Sequence, residues 1–142
     1  MPSYYDESKK CRVGTMDESQ FYSECESANS ACFKTLIAAW IKAGGSLKWG
    51  AGGVGLRGPI DGKEVGVCFL APQFAGKKDR IELACAKLVK QLGDERVKSL
   101  DEAIRKAAGE LALGKTMLSV VQPSNLITAK QRSLTQAFVG ML

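Results

Sequence analysis

The chain has 142 residues, a net charge of +5, and ordinary globular shares of apolar (45%) and charged (25%) residues. This length suffices for one domain with its own core. No apolar run approaches the roughly 20 residues that a membrane-spanning helix needs, and the N-terminal segment lacks the apolar core of a signal peptide. We therefore expect a soluble, cytoplasmic protein with no membrane partner.

Histidine is absent, and the five cysteines contain no C-x-x-C pair. The missing histidine excludes Ser-His-Asp and Cys-His nucleophile systems and the zincin motifs. The cysteine spacing also lacks the signature of a structural zinc site. Acid–base chemistry would fall to carboxylates, and these lie in predicted turns, helix starts and polar faces. We predict no metal site and no cofactor, and the interpretation leans away from an enzyme.

The charge is unevenly distributed along the chain. Residues 1–30 contain six acidic and three basic residues, a net charge of −3, so the other residues carry +8. We predict an acidic, loosely ordered N-terminal arm over residues 1–28, with a short turn of helix around Glu18 to Glu24, and a single domain over residues 29–142. The basic domain suggests an anionic partner, or an arm that folds back over the basic surface.

A β-hairpin is predicted at the centre of the chain. Residues 65–70 alternate between two apolar or small faces, which is typical of a strand covered on both sides. Residues 59–62, Pro-Ile-Asp-Gly, predict a turn. The partner strand runs over residues 47–57, and its apolar residues change parity at residues 50–53, so we expect a β-bulge among those glycines.

Helical spacing of apolar residues predicts a helix on each side of the hairpin. The first follows an N-cap at Asn29 or Ser30 and stops at Gly44-Gly45; its stripe comprises Phe33, Leu36, Ile37, Trp40 and Ile41. The second carries a stripe from Ile81 to Leu92 and ends at Gly93. Leu83 points away from that stripe, so a strand over residues 80–85, with helix only from Ala86, remains the alternative.

Two further helices and a strand complete the predicted elements. A capping box of Ser99 and Glu102 opens a helix that extends to about Leu113, with Gly114 as its C′ residue. Residues 116–121 predict a third strand. Thr128 opens a C-terminal helix whose apolar face contains Leu134, Ala137, Phe138 and Met141, and this face either closes the core or forms a dimer contact. The fold class is α+β, a small antiparallel sheet built on the central hairpin and covered by about four helices in the order α-β-β-α-α-β-α.

Two nucleotide-binding motifs occur by letter, and we interpret both as accidental. Gly50, Gly52 and Gly55 spell G-x-G-x-x-G, but a strand rather than a helix is predicted to follow. Residues 109–116 spell the Walker A pattern, but a helix precedes them and a strand follows, whereas a P-loop lies between a strand and a helix.

The remaining signal is basic charge next to an aromatic residue. Cations beside an exposed aromatic ring are the components of a single-stranded nucleic-acid surface. We predict a non-catalytic binding domain with an anionic partner such as nucleic acid. One alternative is a small-molecule or enzymatic pocket at the glycine-rich hairpin; another is a protein-interaction or homodimerisation module that uses the C-terminal helix. The candidate binding residues are Lys48, Trp49, Arg57, Lys63, Lys77, Lys78, Arg80, Lys87 and Lys90.

Overall fold

The computed structural model describes residues 2–73, 79–108, 113–115, 118–121 and 128–142. The elements are β1 Tyr4–Asp6, β2 Cys11–Val13, α1 Glu18–Glu24, α2 Ser27–Lys42, β3 Ser46–Trp49, β4 Val54–Ile60, β5 Lys63–Ala71, β6 Arg80–Ala84, α3 Cys85–Leu92, α4 Asp94–Ala108, β7 Leu113–Lys115, β8 Leu118–Val121 and α5 Thr128–Val139. Within these ranges β1 and β2 form a small ribbon, and the other strands form a six-stranded sheet in the order β3-β4-β5-β6-β8-β7. Every pairing is antiparallel, so the predicted α+β class is confirmed.

The central hairpin is β4–β5, and its turn contains only two residues. Ile60 pairs with Lys63, and both turn residues have positive φ, 52° at Asp61 and 78° at Gly62. Positive φ at both central positions is the backbone of a type I′ turn, whose twist matches that of the flanking strands. The Asp-Gly pair therefore closes this hairpin, while Pro59 lies within β4 opposite Glu64.

The glycines at residues 50–53 form a turn between two strands rather than a bulge within one, which corrects the prediction. Lys48 pairs with Gly55 across this turn. Gly53 has φ 150°, and a Cβ at this position would overlap the Leu70 carbonyl oxygen, so only glycine fits. The bulge lies instead in β5, where Leu56 pairs with Cys68 but Arg57 pairs with Gly66.

The segment after the hairpin begins as a strand, so the preferred prediction of a helix over residues 81–92 is wrong for its first part. Arg80–Ala84 forms β6, which pairs with β5 and β8. Ile81 and Leu83 are fully buried, and their spacing of two is the period of a strand. The alternative, suggested by the misplaced Leu83, is therefore correct, with α3 starting at Cys85.

The two helices after β6 differ from the prediction in their bounds. Gly93 has φ 89° and follows α3 as predicted. The next helix begins at Asp94, so Ser99 lies inside it and does not cap it. Asp94 and Glu95 occupy the first turn, where negative charge is favourable. Gly114 lies in β7 and is not a helix C′ residue.

The predicted helix before the hairpin, α2, and the predicted C-terminal helix, α5, are both confirmed with small differences. The structure has α2 starting at Ser27, before the predicted caps, and Ile41 is 51% exposed rather than part of the buried stripe. Leu134 and Phe138 of α5 are buried, and α5 contacts α2 and α4. The C-terminal helix therefore closes the core of its own chain.

Residues 2–28 contain β1, β2 and α1 and contribute buried residues to the core. The helix predicted around residues 18–24 is present as α1. Met16 and Phe21 are fully buried in the same core cluster as the sheet residues. The Met16 amide donates to the Gly50 carbonyl at 2.9 Å, and the Ser3 hydroxyl donates to the Ala51 carbonyl. The arm is thus fastened to the β3–β4 turn.

A buried carboxylate also ties the arm to the sheet. Asp79 is 1% exposed and accepts hydrogen bonds from the Glu26 amide at 2.7 Å, the Asn29 side chain at 2.8 Å and the Gln73 amide at 2.5 Å. Glu26 is the N-cap of α2, and its own side chain makes no capping bond. Asp79 therefore supplies the negative charge and the acceptor that this helix start requires.

Trp40 joins α2 to the first two strands of the sheet. Its ring is fully buried, and its Nε1–H lies 2.8 Å from the Arg57 carbonyl and 3.2 Å from the Ser46 carbonyl. A Cβ at Gly45 would overlap this indole ring. The close approach of the chain at Gly45 therefore keeps the indole within reach of both carbonyls.

Gly45→Ala is expected to lower the free energy of unfolding by about 2–4 kcal/mol, because the methyl group forces the Trp40 indole out of a packed site and away from its acceptors. Urea unfolding measured by circular dichroism tests this. Gly50→Ala is the matched control, since a Cβ there meets no atom closer than 4.0 Å. Equal stability of the two variants would contradict the role given to Gly45.

Stability is expected to fall in alkaline solution because buried thiols keep their protons. Burial raises the pKa of Cys25 to about 12, helped by the negative charge of Asp79, and burial raises the pKa of Cys32 to about 11. An unfolded thiol ionises near pH 9.0, so above that pH the unfolded chain releases protons that the folded chain retains. The free energy of unfolding then falls with rising pH, by at most about 1.4 kcal/mol per pH unit for each thiol.

Urea unfolding at about pH 8 and pH 10 measures this dependence. Cys25→Ala removes one of the buried thiols and is expected to show a smaller loss between the two pH values than the natural chain. Cys11→Ala, which removes an exposed thiol, is the matched control. A Cys25→Ala variant with the full alkaline loss would contradict the assignment.

Candidate ligand-binding site

A row of cross-strand neighbours runs over the outer face of the sheet, opposite the face that carries Val54 and Leu56 into the core. Lys48 pairs with Gly55, Gly55 with Phe69, and Phe69 with Glu82. Residues directly opposite each other in antiparallel strands share a face. The row therefore places a cation at its β3 end, a glycine and an aromatic ring in its middle, and a carboxylate at its β6 end.

A second row lies beside it, two residues further along β4. Arg57 pairs with Gly66, and a Cβ at Gly66 would lie only 3.2 Å from the Arg57 Nη1 atom. The guanidinium group therefore lies over the bare backbone of Gly66. A larger residue at Gly66 would push it away from the sheet.

The bulge in β5 is what brings Gly66 and Phe69 to the same face. Without it, residues three apart in a strand would lie on opposite faces. Val65 is buried before the bulge, Val67 is the buried inserted residue, and Cys68 and Leu70 are buried after it. The inserted residue thus reverses the parity of the strand, so Val65 and Leu70 both lie in the core.

Between these rows lies a cavity of about 330 Å³, lined also by Lys87 and Leu88 of α3. This volume is at the lower end of the range for small-molecule sites. Gly50, Gly55 and Gly66 line it, and their missing side chains leave the space that it occupies. The lining is mostly apolar, with charged groups supplied by Lys48, Arg57, Lys87 and Glu82.

Trp49 connects the cavity to the core. It lines the cavity, and its ring packs edge-on against Phe21 of α1, with 5.8 Å between the ring centroids. Phe21 in turn packs on Phe33 of α2 at 5.5 Å. Trp49 pairs with Val54, whose side chain is in the core, so the Trp49 indole lies on the core face of β3.

Positive charge dominates the cavity. Three cationic side chains face one carboxylate, Glu82, and that carboxylate already accepts a hydrogen bond from Arg80 Nε at 2.5 Å. Burial raises the pKa of the Cys68 thiol, which lies on the core face of β5 because Cys68 pairs with Leu56. This thiol therefore stays protonated and is a poor nucleophile. The arrangement suits the binding of an anion with an apolar body.

The structure brings four of the nine predicted binding residues together: Lys48, Trp49, Arg57 and Lys87. Arg80 pairs with Glu82 beside the cavity, and Lys90 lies exposed on α3 outside its lining. Lys63 is exposed where β5 begins, at the Asp61-Gly62 turn. The predicted Lys77 and Lys78 lie outside the described residues.

Sequence reasoning missed Phe69 and Glu82 as site residues. Phe69 was assigned to a strand with two apolar faces, and Glu82 was assigned to a helix. The glycines opposite Phe69 could have identified it as a site residue, because an aromatic ring above glycine backbone leaves that face of the sheet open to a ligand. Glu82 could be identified as a site residue only once its segment was correctly assigned as the strand β6.

The glycine motif does not form a nucleotide site in this structure. Gly50 and Gly52 lie at the β3–β4 turn, and Gly55 lies in β4, with no helix following it. Of the Walker A segment, Leu113–Lys115 forms β7, and the other residues lie outside the described ranges. Among the residues that the structure describes, no three His, Cys, Asp or Glu side chains gather where they could hold a metal ion.

Comparison of the chain with protein-family models, curated protein sequences and solved structures found no match. In the described part of the chain, no helix combines the length and hydropathy needed to cross a bilayer. The case for function therefore depends on the cavity itself.

Proposed function

We propose that this protein is a non-catalytic binding domain whose ligand is a small organic anion with a flat apolar body. The observation that carries the proposal is the convergence of Lys48, Arg57 and Lys87 on one cavity beside the Phe69 ring. Cations at the edge of an apolar cavity attract an anion, while the apolar walls bury the remainder of the ligand.

Arg57 is the strongest candidate for direct contact with the anionic group. Its guanidinium lies over Gly66 and so presents a planar set of donors at the cavity wall. A guanidinium binds carboxylate and phosphate oxygens through two parallel hydrogen bonds, which a lysine cannot do. Lys48 and Lys87 add charge that is less directional.

The apolar part of the ligand is expected to lie against Phe69. Phe69 is half-buried above the β3–β4 turn, with its Cζ 3.9 Å from where a Cβ at Gly52 would be. A rigid aromatic wall of this kind contacts a flat ligand at little entropic cost.

Single-stranded nucleic acid is the second candidate, and the Phe69 ring favours it. A base can stack on an exposed ring while cations neutralise its phosphates, and each stacked base adds affinity. Such binding extends over several nucleotides and weakens steeply with salt. A single ligand held within about 330 Å³ has a much weaker salt dependence.

Isothermal titration calorimetry with biphenyl-4-carboxylate and its neutral analogue, biphenyl-4-carboxamide, tests the proposed function on the full chain. The carboxylate is expected to bind about tenfold more tightly than the amide, because only the carboxylate pairs with Arg57. Arg57→Met is expected to remove this difference. A Cβ at Gly55 would lie 3.7 Å from the Lys48 carbonyl oxygen, an ordinary contact distance, and Gly55→Leu, which extends into the cavity, is expected to abolish binding of both compounds.

Two control variants separate the cavity from general charge. Lys48→Glu and Lys63→Glu change the net charge equally, but only Lys48 lines the cavity, so Lys48→Glu alone is expected to weaken carboxylate binding. An oligothymidylate of about 12 nucleotides is titrated in parallel at low and moderate salt. Binding of the oligonucleotide with no binding of either biphenyl compound would overturn the small-ligand proposal in favour of nucleic acid.

The homodimer prediction assigned the apolar residues of α5 to a dimer contact, and two of them are buried within the single chain. Leu134 and Phe138 are 1% and 0% exposed within the single chain. The C-terminal Met141 and Leu142 also pack against the core.

A further inference from the structure

We infer that the ligand carries a hydrogen-bond donor, such as an amine or a ring N–H, at the end opposite its anionic group. This inference rests on the proposed function and narrows its ligand class. It follows from the order in which the sheet presents charged groups along the cavity. Lys48 and Arg57 lie on the β3–β4 side, and the carboxylate of Glu82 lies on the β6 side, where it pairs with Arg80.

The strand register sets the separation of the two ends. Lys48 and Glu82 end a row that crosses β3, β4, β5 and β6, and three inter-strand spacings separate their Cα atoms by about 14 Å. Arg57 lies in β4, two strands away from Glu82. Phe69 lies between them and provides an apolar surface for the middle of the ligand.

Glu82 has acceptor capacity beyond its bond to Arg80. A carboxylate offers two oxygens with about four acceptor directions, and Arg80 Nε takes one of them at Oε1. The Glu82 side chain is 30% exposed and lines the cavity. A purely anionic ligand would meet repulsion at this end, whereas a donor-bearing ligand would gain a charge-assisted hydrogen bond.

The charge pattern therefore favours one orientation of the ligand. The anionic group lies towards Arg57 and Lys48, the apolar body crosses Phe69, and the donor reaches Glu82. Amino-substituted aromatic acids and the monophosphates of amino-bearing heterocycles share this chemistry. Simple aromatic acids without a donor lack the second contact.

Calorimetric titration with 4′-aminobiphenyl-4-carboxylate and biphenyl-4-carboxylate tests the inference, because the two acids differ only in the terminal amine. The amino compound is expected to bind about fivefold to tenfold more tightly to the natural chain. Glu82→Gln, which removes the charge but keeps the shape, is expected to reduce this preference. Glu82→Met, which removes the acceptor, is expected to abolish it.

Circular dichroism and urea unfolding of both Glu82 variants serve as the control for folding. Equal affinity of the two acids for the natural chain would overturn the inference and leave the proposed function standing. A preference that persists in Glu82→Met would overturn the role of Glu82. Failure of both acids to bind the natural chain would overturn the proposed function, and the inference with it.

Discussion

One inserted residue in β5 is the constraint on which both faces of the sheet depend. The shift between the Leu56–Cys68 and Arg57–Gly66 pairs leaves Val67 as the extra residue. A bulge of this kind changes which side chains point to each face beyond it. Here it keeps Val65 and Leu70 together in the core and places Gly66 and Phe69 together on the outer face. The same local irregularity therefore completes the core and forms the floor of the cavity.

The two faces of β4 differ in the side chains that they carry. On the core face, Val54, Leu56 and Ile60 are buried, and Trp40 reaches the Arg57 carbonyl at 2.8 Å. On the outer face, Gly55 is bare, and Arg57 lies over the equally bare Gly66. Trp40 thus holds the backbone of Arg57 from the core face of the sheet, while the Arg57 guanidinium faces the cavity on the outer face. A rigid strand at this position fixes the main cation of the proposed site.

The sequence predicted the elements whose signals are local, and it failed where a signal depended on pairing. The Asp61-Gly62 turn, the helix before the hairpin and the start of α5 at Thr128 were all correct, because turn chemistry and helical spacing are read from neighbouring residues. The bulge was placed among the glycines because their apolar neighbours change parity there, but a hairpin turn explains the same change. For β6 the pattern of Ile81 and Leu88 fits a helix as well as a strand followed by a helix, and only pairing with β5 and β8 decides between them. These errors also affected the prediction of the binding site: its cations on β3 and β4 were identified, whereas Phe69 and Glu82 were not.

The negative charge of the arm has a role within the arm itself, because the arm is part of the core. Glu24 pairs with Arg12 at 2.8 Å, Asp17 caps α1 through the Gln20 amide, and Asp6 accepts bonds from the β1–β2 turn. These acids therefore stabilise the arm itself. The arm contacts the β3–β4 turn through Met16 and Ser3, and it packs against Trp49 through Phe21. Its contribution to the proposed site is thus indirect: it packs on the core face of β3 and holds the β3–β4 turn, whose Gly50 lines the cavity.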